Sequence, residues 1–423
     1  MEVLAAKRSN SLIMQVDLDL KVKLFNEYLE NGGIEKIVFP ELLESLLKVK
    51  SLPNGKVNPD TVDSIANAAM LAYVGTQLME PFNSDTYLSQ YETLLQKSIF
   101  FTQTNIETKE EFDEVFEKYL GSKNVLFRGL NEAKYRLYSS LQREWITSKL
   151  YEKHSSYEAF LSALIKNAKS QQGDILSKYL NKIGIDSEND LAVLSFLQHY
   201  GCPTPLLDWT YSFPNALFFA TQNLKKPEGK WEIEKYFCVY YLEEEFFEKA
   251  SLQQIFEIGL KKQKEKLKSE FTEQVKNSGI FEGLIDKLIT PEHIDKMFYL
   301  LHGKQLITYM TKIEKLVKAP MLYFSDDKTD EHLKYNLNTS MNIVNQNGVF
   351  TWNASPTKPI EHIPFEKAKE SDDNKTVLFS KCININKDLV RHVQKRITKL
   401  GINKKYIYPD AWKIAQQAFA KTK

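Results

Sequence analysis

Val125-Leu126-Phe127-Arg128-Gly129-Leu130 sets one arginine and one glycine inside an apolar run. Gly121 and Ser122 turn the chain just before it, so residues 124–130 read as a strand. With a side-chain period of two, Leu126, Arg128 and Leu130 share one face, and Val125, Phe127 and Gly129 share the other. A cation is thereby carried among apolar neighbours, and the missing side chain at Gly129 lets backbone or ligand come close. Helical stretches separate this strand from later strand signals at residues 236–242, 321–325, 341–344, 348–352 and 376–385, which makes the C-terminal two-thirds α+β, a mixed and interrupted sheet with helices covering it.

A second dense stretch follows, Gln198-His199-Tyr200-Gly201-Cys202-Pro203-Thr204-Pro205-Leu206-Leu207-Asp208-Trp209-Thr210. Both stretches put polar, titratable or conformationally special residues where local folding rules and a binding site conflict. Ser212-Phe213-Pro214 then opens a helix continued by Ala216, Leu217, Phe219 and Ala220, and its free amides would face residues 207–210.

Arginine is scarce: Arg8, Arg128, Arg136, Arg143, Arg391 and Arg396 leave 56 − 6 = 50 lysines. Three of the six fall between residues 128 and 143, and a planar five-donor guanidinium suits phosphate or carboxylate. The structural alternative for Arg128 is a clamp on a carboxylate or on loop carbonyls.

The formal net charge of +1 provides no global field toward nucleic acid or an anionic membrane. Cys202, Cys238 and Cys382 are far apart, without zinc or disulfide spacing, which suits a reducing compartment. No apolar run is long enough for a membrane span, and a cytoplasmic location is expected. The Lys, Asn, Ile and Phe bias suits an AT-rich bacterial genome.

Apolar spacing near 3.6 over residues 17–105, broken at Pro53-Asn54-Gly55 and stopped at Pro81, predicts an all-helical N-terminal domain over residues 1–105. A second domain then spans 106–423, with a helical insertion at about 250–318. Thr108-Lys109-Glu110-Glu111 reads as a capping box, Asn386 as the cap of a late helix ending near Gly401, and Pro409 as the start of another.

These residues resemble the FRG domain, a bacterial family named for Phe-Arg-Gly. Phe127-Arg128-Gly129 matches the name, and the stretch from Gln198 through Thr210 matches a second signature. Ala216-Leu217-Phe218-Phe219-Ala220 matches its helix, Gln346-Asn347-Gly348-Val349-Phe350 a third motif, and Leu400-Gly401-Ile402-Asn403 with Tyr408-Pro409-Asp410 a closing segment. The chain departs from the pattern at Pro205 and Asn342, where the family usually carries arginine.

The order of parts is also similar, more weakly, to ADP-ribosyltransferases that cleave NAD. That resemblance implies an ADP-ribosyltransferase-like sheet in which Arg128 holds the cofactor's phosphate or ribose and Thr210 or Ser212 braces it. Gln346 stands where a catalytic glutamate is expected, and an amide neither acts as a base nor carries charge. Asp208 or His199 would supply what is missing.

Each of these residues also has a structural reading. His199 ends an apolar helix, and its ring is either a ligand contact or bonded to a nearby carbonyl. Asp208, between Leu207 and Trp209, is expected to be poorly solvated and to need Arg128, His199 or helix amides as partner. Tyr200 and Trp209 either stack on a base or nicotinamide ring or simply fill the core. Gln346 either contacts ligand or shapes a turn. The scattered histidines carry no metal-binding spacing, so no metal is expected.

The first functional reading is a nucleotide-binding cleft built from Arg128, Gly129, His199, Tyr200, Asp208, Trp209, Thr210, Ser212 and Gln346. NAD is its expected substrate, cleaved by water or transferred to a macromolecular acceptor, in a toxin or phage-defence setting by analogy. The second is a non-catalytic module sensing a nucleotide, a nucleic acid or a protein. A nuclease using His199 and Asp208 ranks third, because no clustered carboxylates suggest a metal site.

Overall fold

Alternation of apolar side chains decides which segments enter the sheet. In the computed structural model, residues 87–229, 231–243, 307–324, 348–364 and 379–409 are described, with isolated residues 265, 269, 273, 277, 290, 335, 337, 339 and 346. The expected N-terminal helices over 17–86, the strand at 341–344, the helix from Pro409 and most of the insertion at 250–318 lie outside them.

Among the described residues, seven strands form one mixed sheet: β1 (Phe101–Ile106), β2 (Val125–Leu130), β3 (Leu206–Thr210), β4 (Tyr236–Glu243), β5 (Met321–Phe324), β6 (Gly348–Asn353) and β7 (Ser380–Asn386), ordered β1-β7-β4-β2-β3-β6-β5. β1 and β7 pair parallel, and every other neighbouring pair is antiparallel. This confirms an α+β fold with a mixed sheet.

One expectation gives way. Helix was expected up to residue 105, but a short helix α1 (Leu94–Ser98) leads directly into edge strand β1 at Phe101–Ile106. The polar alternation of Thr102, Gln103, Thr104 and Asn105 obscured it, because only Phe101 and Ile106 are buried there. Seen alone, that sequence offers no apolar stripe of either period.

The two faces of the sheet are covered differently. On the first face, Leu126, Leu207, Trp209, Cys238, Tyr240, Leu242, Val349 and Cys382 join residues of α1 in one core. On the second face the cover is divided. Phe127, Phe237, Val239, Ile383 and Ile385 pack with α2 (Lys109–Tyr119), with α7 (Phe213–Ala220) and with α9 (Val390–Lys399). Leu206, Leu322, Phe324, Phe350 and Trp352 pack instead with α3 (Ser140–Thr147), α4 (Tyr157–Ser170), α5 (Ile175–Lys182), α6 (Asp190–His199) and α8 (Ile313–Leu316). α10 (Lys404–Ile407) closes the described chain.

The helix starts follow from local chemistry. Thr108 and Glu111 form the expected capping box, with Glu111 N donating to Thr108 Oγ1 at 3.2 Å and Thr108 N donating to Glu111 Oε2 at 3.0 Å. Ser212 caps α7 by accepting from Asn215 N at 3.3 Å, with Pro214 in the first turn. Asn386 caps a single 3-10 turn that runs on into α9. Among the described residues, no helix is long and apolar enough to cross a membrane.

Candidate functional site

The seam between β2 and β3 is where the sheet is weakest. β2 pairs with β4 through six residues and β3 with β6 through five, yet β2 meets β3 only at Phe127 and Thr210. Just past that pair, the side chain of Arg128 takes over, its Nη1 donating to the backbone carbonyl of Asp208 at 2.5 Å. Arg128 therefore acts as a strut across the seam, which is the structural reading of this residue. Its bonding capacity is not used up: Nε is buried and has no hydrogen-bond partner among the described residues.

The Asp208 carboxylate stands 3.9 Å from Arg128 Nη1, with side-chain exposures of 52 % and 15 % for the acid and the base. The expectation of a poorly solvated Asp208 is thus corrected. Leu207 and Trp209 enter the core of the first face, and Asp208 lies on the other face, exposed between the buried Leu206 and Thr210. Its partner is Gln198, whose Nε2 donates to Asp208 Oδ2 at 2.8 Å, and not the amides of α7. Gln198 Oε1 in turn accepts from the Thr204 hydroxyl, while the Thr204 carbonyl accepts from Leu141 N at 3.0 Å and from Ser140 Oγ at 3.2 Å. This chain of bonds ties the start of α3 to β3, and α3 carries Arg143.

Electrostatics bring Arg143 into the same group. Burial pulls the Arg128 guanidinium down to about 10, Asp208 opposes that shift, and Arg143 adds to it. Burial also lowers Arg143, again opposed by Asp208, and its Nη1 donates to the Tyr138 carbonyl at 2.7 Å. Arg143 stays exposed along α3 although its charged end is partly shielded. Both arginines are protonated at neutral pH, and the half-solvated Asp208 is the carboxylate whose field acts on each.

His199 completes the group. Burial lowers its pKa, with Asp208 pulling the other way, and its buried Nε2 has no hydrogen-bond partner. Its ring lies 5.8 Å from that of Phe350, so it is a neutral imidazole beside an apolar wall. Partial burial and then Asp208 raise the phenol of Tyr408, which is exposed.

Arg128, His199 and Asp208 are thus brought together. Thr210, Ser212 and Gln346 form a supporting layer: Thr210 Oγ1 donates to the Gln346 carbonyl at 2.5 Å, Ser212 N donates to Thr210 Oγ1 at 3.0 Å, and Gln346 Nε2 donates to the Ile407 carbonyl at 3.2 Å. Gln346 therefore spends its amide on holding the segment before β6 against α10.

Two expected ligand contacts have other work, and a third stays open to solvent. Gly129 faces α7, where an added Cβ would stand 1.9 Å from the Ala216 carbonyl oxygen, so its bare backbone admits a helix and not a cofactor. Trp209 is 2 % exposed, and its indole N–H donates to Thr351 Oγ1 at 2.9 Å; it is core. Tyr200 is exposed, with its ring 4.6 Å from that of Phe196 on α6. Sequence reasoning missed Gln198 and Tyr408 as members of the group. It noticed Arg143 only through the scarcity of arginine.

Among the described residues, no group of three or more His, Cys, Asp or Glu side chains is placed to hold a metal ion. An open cavity of about 340 Å³ lies apart from this group, lined by Ser162, Ile165, Lys166, Lys169, Asp174 and Asp190. Lys169 is already paired there with Glu188 and Asp190.

Residues 123–229 match the family model of the FRG domain. The matched span holds Arg128, Arg143, Gln198, His199, Asp208, Thr210 and Ser212, but neither Gln346 nor Tyr408. No curated protein and no solved structure matches the chain.

Proposed function

We propose that the seam between β2 and β3 is a nucleotide site whose ligand is NAD, and that the chain is an NAD-cleaving enzyme of ADP-ribosyltransferase-like design. The observation that carries this reading is the charge imbalance: Arg128 and Arg143 face the single carboxylate of Asp208, and Arg128 keeps an unpartnered Nε. A diphosphate supplies the missing negative charge and the acceptor oxygens that two guanidiniums suit. The order of strand arginine, hydroxyl-bearing strand and capped helix, which resembles that of NAD-cleaving transferases, supports NAD among diphosphates.

In this reading the glycosidic bond to nicotinamide breaks, positive charge develops on the ribose, and water or a macromolecular acceptor attacks. Asp208 takes the part of the absent glutamate: its exposed carboxylate stabilises the developing cation and accepts the nucleophile's proton. His199, neutral at physiological pH, is the alternative proton acceptor. Incubating the full chain with NAD and following free nicotinamide over time tests the reaction. Turnover in wild type that falls at least about 100-fold in Asp208→Asn is expected, whereas no release from wild type refutes catalysis.

One observation favours a second reading. Gln346 holds the position where the resemblance calls for a glutamate, and its amide is bonded to Ile407. A site so built binds a nucleotide without cleaving it, as a sensing module. Saturable binding of NAD without nicotinamide release identifies that case.

A further inference from the structure

Beneath α1 the sheet carries a second polar group that the proposed site does not use. Lys97 on α1, Cys238 and Tyr240 on β4, and Cys382 and Asn384 on β7 are all fully buried. Register places Cys238 opposite Asn384 and Tyr240 opposite Cys382, so their side chains share the face beneath α1. We propose that Lys97 and Cys238 form a buried ammonium–thiolate pair with Cys382 as its protonated neighbour, a proton-sensitive anchor holding α1 to the sheet.

Hydrogen-bond bookkeeping decides which sulfur carries the charge. Asn384 Nδ2 donates to Gln103 Oε1 and to Asn105 Oδ1, both at 2.8 Å, which fixes the amide with its oxygen toward Lys97 and Cys382. Lys97 Nζ donates to that oxygen at 2.9 Å, and Cys382 Sγ donates to it at 3.4 Å. An acceptor oxygen requires a proton on its sulfur partner, so Cys382 is a thiol.

Lys97 needs an anion. Its Nζ lies 4.7 Å from the centroid of the Tyr240 ring, an arrangement that favours the ammonium form. Among the described residues no carboxylate pairs with it, and an uncompensated ammonium at zero exposure is strongly disfavoured. The neighbouring acids are otherwise committed: Tyr240 donates to the Tyr135 carbonyl at 3.2 Å, and Tyr91 donates to Glu361 at 2.7 Å. Cys238, the strand partner of the Asn384 whose side chain holds Lys97 Nζ, is what remains.

The titration behaviour agrees. Burial alone raises the Cys238 thiol, but the neighbouring Cys382 sulfur and the Lys97 charge outweigh this and bring it down to about 7. Cys382 is held well above its ordinary value, chiefly by burial. For Lys97, burial acts downward, yet the two sulfurs raise the ammonium overall. A thiol depressed on folding contributes stability above its unfolded pKa and loses that contribution as pH falls through about 7. Acidification therefore loosens α1 from the sheet.

Ultraviolet thiolate absorbance of the full chain, followed from pH about 9 to about 5, tests the assignment in wild type, Cys238→Ser and Cys382→Ser. Serine keeps the donor that Asn384 requires. The expected result is loss of one thiolate with a midpoint of about 7 in wild type and in Cys382→Ser, and no such step in Cys238→Ser. Absence of the step in folded wild type, or its survival in Cys238→Ser, overturns the proposal. In Lys97→Met the midpoint should rise above that of an ordinary thiol, and if this variant does not fold the serine pair still decides.

Discussion

Two shielded cations in this chain are treated in opposite ways. Lys387 donates to both oxygens of Glu132 at 2.9 Å and to the Lys225 carbonyl at 3.0 Å, and both members of the pair are buried. Arg128 bonds one backbone carbonyl, stands 3.9 Å from a carboxylate that is half in water, shares its surroundings with Arg143 and keeps Nε without a partner. The first cation is saturated and ties the end of β7 to the loop after β2. The second has bonding capacity left over at a weak point of the sheet. Shielding alone therefore does not mark a site; shielding with unspent donors and an unbalanced charge does.

The sharpest way to separate the two is to remove each cation in turn. Lys387→Met leaves Glu132 buried without its partner and should cost about 3–5 kcal/mol of stability by denaturant unfolding, with nucleotide affinity unchanged in the folded fraction. Restoring most of that loss in Lys387→Met with Glu132→Leu would show the pair to be purely structural. A next, smaller effect is expected at the seam itself. Gly129→Ala drives a Cβ against the Ala216 carbonyl and, at 2.8 Å, the Ala220 amide nitrogen, so α7 must shift. A loss of about 3 kcal/mol in thermal or chemical unfolding is expected.

How much of this contrast could be seen in the sequence depends on the residue. The strand of Arg128, its two faces, the Thr108 capping box and the Ser212 helix start follow from period and local hydrogen bonding, and they appear where the sequence places them. β1 was invisible because its interior is polar and its partner, β7, is far away in sequence. Within the site, Trp209 fills the core, one of the two readings open to it, whereas Asp208 is exposed although Leu206 and Thr210 on its own face are buried, which the period of β3 does not foretell. Gly129 was correctly read as a close approach, but only the fold shows that a helix makes it. Gln198 and Tyr408 stood in the sequence only as members of family motifs, since Gln198 gains its role by bonding Asp208 and Tyr408 by lying in the field of that carboxylate.

Finer effects sharpen the functional side of the contrast. Arg128→Ala removes a charge-assisted contact and should weaken NAD binding by about 1.5–3 kcal/mol, roughly tenfold to a hundredfold in Kd. Arg143→Ala should weaken it by less, because that guanidinium is the more exposed of the two. The smallest effect concerns His199. Its folded pKa lies below the ordinary value of 6.5 because of burial, so its neutral form contributes stability that is present above 6.5 and lost as pH falls through the folded value. Unfolding free energies of wild type and His199→Gln compared between pH about 8 and about 5 should show a shallower acid limb in the variant.

The central claim is that Arg128 has capacity reserved for an anion. Calorimetric titration of NAD and ADP-ribose into the full chain, with wild type, Arg128→Ala and Lys387→Met in parallel, tests it most directly. The account predicts saturable binding of both ligands to wild type and to folded Lys387→Met, and a Kd weakened roughly tenfold to a hundredfold in Arg128→Ala. Absence of binding to wild type, or equal binding to Arg128→Ala, would contradict it and leave Arg128 as a strut between two strands.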